Sequence, residues 1–254
     1  MVFLIETNSG ATLTPESEGW DIVDFNIPDV TTQHRRKETP GVPGVTPMGA
    51  DIGVRENIEI IFDYSIAAVY EYQEKWMAIQ DIFSDGPFKL FVSTRTSERG
   101  SGRYLLLDKD SLSVEKVSNH RGRVTVSLST HQSPFFMTRG RSTTTISGAS
   151  ATFNNPGTTE LDHRYTDTEI VIRMNGSSDG FTITVNGEDW SYNGSAFAGD
   201  WFTLKDGDAY LGDNHSIFGD VSHNVIVFKP GSNTISVTGA AGYEMEIITR
   251  YYYH

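Results

Sequence analysis

The sequence predicts a mainly β protein with one helix in its first half. Three observations predict this fold. Apolar residues recur at helical spacing in one clear stretch, Val69–Phe83; other apolar stretches alternate with a period of two; and turn residues divide the second half into short segments. We expect a β-sandwich or barrel-like domain with one helix over 1–139, a linker over 140–150, and an antiparallel β-sandwich of jelly-roll or lectin-like type over 151–254.

The helix is predicted over about 66–83. Ser65 is a plausible N-cap, and the run Ser84–Pro87 ends the helix with glycine and proline. Steps of three and four residues place five side chains on one face, which we expect to pack on a sheet: Val69, Tyr72, Trp76, Ile79 and Phe83.

Strands are predicted on both sides of the helix. Asn57–Tyr64 alternates apolar and polar residues before the helix, and Phe88–Ser93 does so after it. Trp20–Ile27 is the first strand candidate, and the turn residues Asp108–Ser111 are expected to separate two further strands. The remaining predicted strands of this half are Tyr104–Leu107, Leu112–Val117 and Arg123–Ser129.

A long segment over 31–53 is predicted to be a protruding arm. Its central part, Thr39–Gly49, holds three prolines and three glycines, which exclude a helix or a central strand. A loop of this length is uncommon in a compact domain unless it has a function. One interpretation is an arm that contacts another subunit, and the other is a mobile loop. The candidate contact residues are Arg35, Arg36, Lys37, Pro40, Pro43 and Pro47.

The second half is predicted to consist of strands and tight turns. Small polar residues over 140–150 indicate the linker. Asn186-Gly187 is a strong hairpin signal and Asn193-Gly194 a second one. The predicted strands are Glu169–Met174, Phe181–Val185, Trp201–Leu204, Asn224–Phe228, Thr234–Val237 and Tyr243–Tyr252.

Composition excludes several functional classes. The net charge of −13 argues against nucleic-acid binding, which needs clustered Lys and Arg. The chain has no cysteine, so disulfides and thiolate metal sites are excluded. No apolar run approaches the roughly 20 residues of a membrane span, and the amino terminus does not look like a signal peptide. We expect no membrane insertion.

No group of residues predicts catalysis or a bound cofactor. Asp206, Asp208 and Asp213 lie in a Gly-rich segment that could hold calcium, but the glutamate of an EF-hand is missing. His215 and His223 match no short metal-ligand spacing. The sequence has no nucleophile elbow and no phosphate loop. We therefore predict no metal, no cofactor and no enzymatic activity.

The order of the segments resembles the N-terminal domain of the distal tail proteins of long, non-contractile-tailed bacteriophages. This family commonly closes its first domain with an Asp-Pro-Phe-like tripeptide, where this chain has Ser133 in place of the acid. The segment Lys229–Ile235 and the Tyr-rich closing strand resemble the family's C-terminal galectin-like sandwich. The residues that carry the resemblance in the first half are Thr39–Gly44, Arg55–Tyr64, Val69–Phe83, Asp85–Leu90 and Ser127–Phe136.

The resemblance implies a structural protein of the virion tail tip. Such a protein forms a hexameric ring that joins the tail tube protein to a baseplate or tail-fibre protein, and phage DNA passes through its lumen without specific binding. Assembly would take place in the cytoplasm of the host bacterium. A closed ring needs two complementary patches on each subunit. A protruding arm could supply one of them by reaching the neighbouring subunit.

The aromatic residues of the second half suggest an alternative function. Trp190, Tyr192, Phe197 and Trp201 could form a sugar-stacking platform, with Trp190 and Trp201 as its main candidates, although a sandwich also needs an aromatic core. The two strand motifs of sugar-binding galectins, His-x-Asn-x-Arg and Trp-Gly-x-Glu, are absent. The alternative is a carbohydrate-binding module for host cell-wall polysaccharide. A glycoside hydrolase rests on fold analogy alone.

Overall fold

The computed structural model describes residues 2–33, 36–38, 45–47, 52–68, 71–93, 102–213 and 215–254. The chain divides into two compact units, one of residues 1–136 with His254 and the other of residues 137–253. Strands dominate both, so the mainly β prediction is confirmed. Within the described residues, no helix is long and apolar enough to cross a membrane.

The first unit contains two helices and eleven strands among its described residues, apart from the short strand β12 (Phe136–Thr138), which spans the division. The elements in chain order are β1 (Val2–Glu6), β2 (Thr12–Leu13), α1 (Pro15–Glu18), β3 (Trp20–Asn26), β4 (Thr31–Gln33), β5 (Arg36–Glu38), β6 (Val45–Pro47), β7 (Ile52–Val54), β8 (Ile58–Ser65), α2 (Glu71–Ser84), β9 (Phe88–Ser93), β10 (Arg103–Ser118) and β11 (Arg121–Thr130).

Seven strands of the first unit form one antiparallel sheet in the order β2-β1-β9-β10-β11-β8-β3. Alternation on β8 places Ile58, Ile60, Phe62 and Tyr64 in the core, as predicted. Helix α2 adds Phe83 to this core, with its ring between Trp20 at 6.2 Å and Phe88 at 5.5 Å. The core therefore lies between the helix and the sheet.

The structure changes the predicted helix in two respects. The helix begins at Glu71, because Ser65 is the last residue of β8 and pairs with Arg121; Ser65 is therefore no N-cap. The Glu71 carboxylate instead accepts a hydrogen bond from the Ala67 N–H, at 2.9 Å. Ile79 and Phe83 are buried and Tyr72 is half-buried, but Trp76 is exposed, and Val69 lies outside the described residues.

Two predictions about the strands of the first unit are wrong. Trp20–Ile27 is not the first strand, since β1 and β2 precede it. The expected turn at Asp108–Ser111 is part of the continuous strand β10, whose pairing with β11 shifts register between Lys109 and Ser111. Such a shift is a β-bulge, which accommodates turn-forming residues without ending the strand.

The second unit consists of strands and one short 3₁₀ turn, Phe218–Asp220. Its strands in chain order are β13 (Ser142–Ile146), β14 (Ser150–Asn155), β15 (Leu161–Asp162), β16 (Thr168–Met174), β17 (Ser178–Val185), β18 (Glu188–Ala196), β19 (Trp201–Lys205), β20 (Asp208–Leu211), β21 (His215–Ser216), β22 (Val227–Phe228), β23 (Gly231–Thr238), β24 (Tyr243–Thr249) and β25 (Tyr252–Tyr253).

Ten of these strands form a sandwich of two antiparallel sheets, while β15 pairs with β22 and β25 with β12. One sheet has the order β13-β24-β16-β19-β20-β21, and the other β14-β23-β17-β18. Aromatic rings join the inner faces, with Phe202 of the first sheet 5.1 Å from Phe181 and 4.8 Å from Tyr192 of the second. The predicted antiparallel sandwich is therefore present.

Several predicted boundaries of this unit are wrong. The predicted linker over 140–150 contains β13, which pairs with β24, and the units divide after Phe136. Asn186-Gly187 forms the expected hairpin, with φ of 53° and 90°. Asn193-Gly194 does not, because both residues lie inside β18. The predicted strand Asn224–Phe228 is reduced to β22, and Tyr243–Tyr252 is divided into β24 and β25.

Candidate assembly and binding surfaces

The predicted arm contains two short antiparallel ribbons. Strand β4 pairs with β7 and β5 with β6, apart from the large sheet. Arg36 lies opposite Pro47 and Lys37 opposite Thr46. Of the predicted contact residues, Arg36, Lys37 and Pro47 thus lie on one ribbon; Arg35, Pro40 and Pro43 lie outside the described residues. A two-stranded ribbon tolerates Pro47 because both of its strands are edges.

A buried arginine lies at the base of the arm. Arg55 follows β7 and is 4% exposed, and its guanidinium carbon lies 4.9 Å from the centre of the Phe136 ring. Its Nε has no hydrogen-bond partner among the described residues. Burial lowers the pKa of Arg55, and the charge of Asp29 partly opposes that effect. The buried guanidinium thus packs on the Phe136 ring where the arm ends.

Ser133 stands where the resemblance leads one to expect an aspartate, and its side chain makes the hydrogen bond that an aspartate could make there. Its hydroxyl accepts a hydrogen bond from the Phe135 N–H at 3.3 Å. Serine and aspartate side chains both accept from the N–H two residues ahead in such turns. The departure from the family's tripeptide therefore keeps the turn.

An ionic cluster lies near the β3 edge of the sheet in the first unit. The Asp63 carboxylate on β8 is buried and accepts hydrogen bonds from Arg123 Nε at 2.7 Å and Nη2 at 3.1 Å. Arg121 Nε lies 3.0 Å from the same carboxylate, and Arg121 Nη2 lies 3.4 Å from Asp21 on β3. The hydrogen bonds from Arg123 hold the pKa of Asp63 below its usual range. An ionised carboxylate held this way is structural rather than a proton donor.

The residues considered as possible metal ligands form no cluster of three within the described residues. No group of three described His, Asp or Glu side chains is arranged to hold a metal ion. Asp206 takes a positive φ in the turn between β19 and β20, and Asp208 accepts from the Ala209 N–H. The His223 ring packs against Phe218, with the centroids 4.6 Å apart. These residues shape turns and surface contacts.

The two candidate sugar-stacking tryptophans lie in different surroundings. The prediction that they share one stacking platform is therefore wrong. Trp190 is 3% exposed and packs against Phe181 inside the sandwich. It lines a cavity of about 180 Å³ beside His163, whose pKa burial lowers. Trp201 is 37% exposed on β19, next to the inward-facing Phe202. Strand alternation places Trp201 on the outer face, because Phe202 points into the core and neighbouring side chains point to opposite faces.

Trp201 lines a groove of about 300 Å³ on the outer face of the six-stranded sheet. Val171 and Thr203, which are paired across β16 and β19, are buried at its floor. Trp201 on β19 is the cross-strand partner of Arg173 on β16. The sequence singles out Trp201 but none of the other groove residues, since their neighbourhood depends on strand pairing. The groove is also lined by Glu169, Arg173, Lys205, Tyr210, Gly212, Asp213, Glu246 and Ile248.

Comparisons with known proteins give a likeness of fold. No protein-family model and no curated protein matches the sequence. The crystal structure of the Dit protein of phage SPP1, a hub of the adsorption apparatus in phages that infect Gram-positive bacteria, matches with a TM-score of 0.69. The match covers 99% of this chain and 100% of the other at 13% identity. The predicted resemblance to a distal tail protein is thus confirmed as a resemblance of fold.

Structures of the phage P2 baseplate in its activated conformation also match. With calcium the TM-score is 0.42 and with strontium 0.41, each at 8% identity. The match to the calcium structure covers 98% of this chain and 97% of the baseplate chain. The match to the strontium structure covers 97% of each chain. TM-scores this low do not establish a shared fold.

Proposed function

We propose that this chain is a structural hub of a phage tail tip. In this proposal it assembles as a ring, hexameric by analogy with the family, and joins the tail tube to a baseplate or tail-fibre protein. The observation that carries the proposal is the end-to-end match of both units to a phage hub protein. A likeness limited to one sandwich would give little support for a function, because β-sandwiches occur in proteins of many functions.

The first unit has features that suit a ring subunit. One of the two ribbons in its arm has Arg36 and Lys37 on one strand. The chain as a whole carries a net charge of −13. A basic ribbon on an acidic protein is complementary in charge to other copies of the same chain, and head-to-tail contacts of this kind close into rings. A negative lumen would also repel passing DNA phosphates.

The proposal assigns no catalytic step to the chain. A solved structure with a TM-score of 0.69 over both units is a hub of a phage adsorption apparatus. Among the described residues of this chain, the one deeply buried carboxylate is Asp63, and two arginines hold it ionised. Catalytic acids need a pKa near the working pH instead. Localisation at the virion tail tip follows from the same proposal.

The role of the arm can be tested by reversing its charge. The variant Arg36→Glu with Lys37→Glu should lose the oligomer, because complementary charge becomes repulsive. Light scattering coupled to gel filtration measures the mass of the particle. The variant Lys75→Glu with Lys116→Glu is the matched control, since both lysines are exposed in the same unit outside the arm.

The control should assemble like the unaltered protein. Equal oligomer masses for the arm variant and the control would remove the arm from the proposal. A stable monomer for the unaltered protein, also after its tail tube protein is added, would contradict ring formation itself.

A further inference from the structure

The groove around Trp201 has the properties of a binding site for a polar ligand. It lies on the outward face of a sheet whose inner face forms the sandwich core, so packing does not require an aromatic residue there. At about 300 Å³ it falls at the small end of ligand sites, which span about 300–1,000 Å³. The exposed indole supplies one apolar surface at the side of this groove.

The space beside the indole is open because its neighbour after β20 has no side chain. The Gly212 N–H donates to the Trp201 carbonyl at 2.9 Å, which fixes the two backbones together. Gly212 has a φ of 67°, and nothing lies within 4 Å of the position where a Cβ would stand. A ligand ring can therefore approach the indole from that side.

Several polar groups of the groove have charged or aromatic neighbours. Arg173 Nη2 lies 3.5 Å from Glu246 on the neighbouring strand, and Glu169 is paired with Arg141 at 3.2 Å. The Lys205 ammonium lies 6.0 Å from the centre of the Tyr210 ring. Paired and partly exposed groups of this kind keep free donor and acceptor positions for a ligand.

The charges of the groove nearly cancel. Arg173 and Lys205 contribute two positive charges, which oppose the carboxylates of Glu169, Glu246 and Asp213. Such a surface offers no net attraction to phosphates, and a nucleic acid would also be repelled by the acidic protein. A hydroxyl group, which both donates and accepts, matches closely spaced positive and negative side chains. An apolar protein partner would leave these charges without water or a counterpart.

We propose that this groove binds a short, uncharged saccharide, with one sugar ring against Trp201 and its hydroxyl groups on Arg173, Glu246 and Lys205. The apolar C–H face of a sugar ring fits the indole, while the ring's hydroxyls reach the ionic pairs on β16, β19 and β24. This site does not include the buried Trp190. It would give a tail hub a contact with host polysaccharide.

A glycan array gives the first test. The probes are neutral hexose and N-acetylhexosamine oligosaccharides, printed beside uronic-acid and phosphate-bearing ones. We expect binding to members of the neutral class. Absence of binding to every glycan, or binding confined to the charged classes, would overturn the proposal.

Calorimetry with the best neutral glycan locates the site. Trp201→Ala should weaken binding about tenfold or more, which corresponds to about 1.4 kcal/mol, and Trp201→Phe should weaken it less. The matched control is Phe197→Ala, an exposed aromatic residue outside the groove lining. A circular dichroism spectrum shows whether each variant is folded.

The variants distinguish binding in this groove from binding elsewhere on the protein. Equal affinities for Trp201→Ala and Phe197→Ala would place the saccharide outside the groove and overturn the proposal. Loss of binding in Trp201→Ala with a native spectrum would support it. Arg173→Ala offers a second route to the same answer without touching an aromatic residue, and it too should weaken binding.

Discussion

The two units bury polar groups of different kinds. The first unit buries charge, with Arg55 at the base of the arm and Asp63 between two arginines. The buried polar residues described in the second unit are neutral amides, threonines and one histidine. Ion pairs respond to pH and salt, whereas amide hydrogen bonds do so far less. The stability of the first unit should therefore depend on conditions more strongly than that of the second.

Asn233 shows how the second unit uses a neutral side chain. Its Nδ2 donates to the carbonyls of Lys229 at 2.8 Å and Gly231 at 3.0 Å. Its Oδ1 accepts from the Lys229 N–H at 2.8 Å and from Asn186 Nδ2 at 2.7 Å. One buried amide thus joins the turn before β23 to the hairpin after β17.

The largest expected effect comes from the core of the first unit. Phe83→Ala should lower the free energy of unfolding of that unit by about 3–5 kcal/mol, because it removes a fully buried ring. Hydrogen exchange followed by mass spectrometry reads each unit separately. We expect faster exchange in β8 and β11 with no change in β17 and β23.

Met77→Ala on the same helix is the control for this core substitution. Met77 is exposed, so its loss should change exchange little. Faster exchange in both units of Phe83→Ala would show that the two units do not unfold independently.

The second effect concerns the buried amide. Asn233→Ala should destabilise the second unit by about 3 kcal/mol, since several backbone groups lose their partner in a buried site. The same exchange experiment should show the change in β14, β17 and β23. Asn224→Ala removes an exposed amide with one hydrogen bond to the Asp189 carbonyl, and its effect should be much smaller. Similar effects of the two variants would show that burial of Asn233 contributes little.

The third effect tests the charge of the first unit. Asp63→Asn should cost about 2 kcal/mol near neutral pH, because the arginines lose their counter-charge but remain partly solvated. The pKa of Asp63 is lowered on folding, so its stabilisation is present above about pH 4 and is lost as the pH falls through the lowered value. The variant should lack that loss.

Urea denaturation at several pH values measures this dependence. Asp21→Asn is the control, since Asp21 is exposed and its 3.4 Å contact with Arg121 should contribute little. An unchanged pH profile in Asp63→Asn would show that the ionic cluster does not set the acid stability of the first unit.

Local patterns allowed much of this fold to be predicted. The alternation from Ile58 to Tyr64 and the dipeptide Asn186-Gly187 depend on neighbours in sequence, and both are found as expected. Trp76 has the right helical spacing but is exposed, because periodicity does not tell how far the sheet extends beneath a helix.

Features that depend on distant pairing could not be predicted. Strand β13 is rich in threonine and reads as a linker until its pairing with β24 is known. Strand β18 contains Asn193-Gly194 where its pairing with β17 shifts register, so the two residues form part of a β-bulge and not a turn. The groove shows the same limit: Trp201 was a candidate from its residue type, but Arg173 and Glu246 join it only through the order of strands.

The proposed hub is tested most directly by electron microscopy of the purified protein after negative staining. We predict ring-shaped particles with a central hole and six-fold symmetry, formed by the protein alone or on addition of its tail tube protein. Monomers at all concentrations, with and without that partner, would contradict a ring-forming hub.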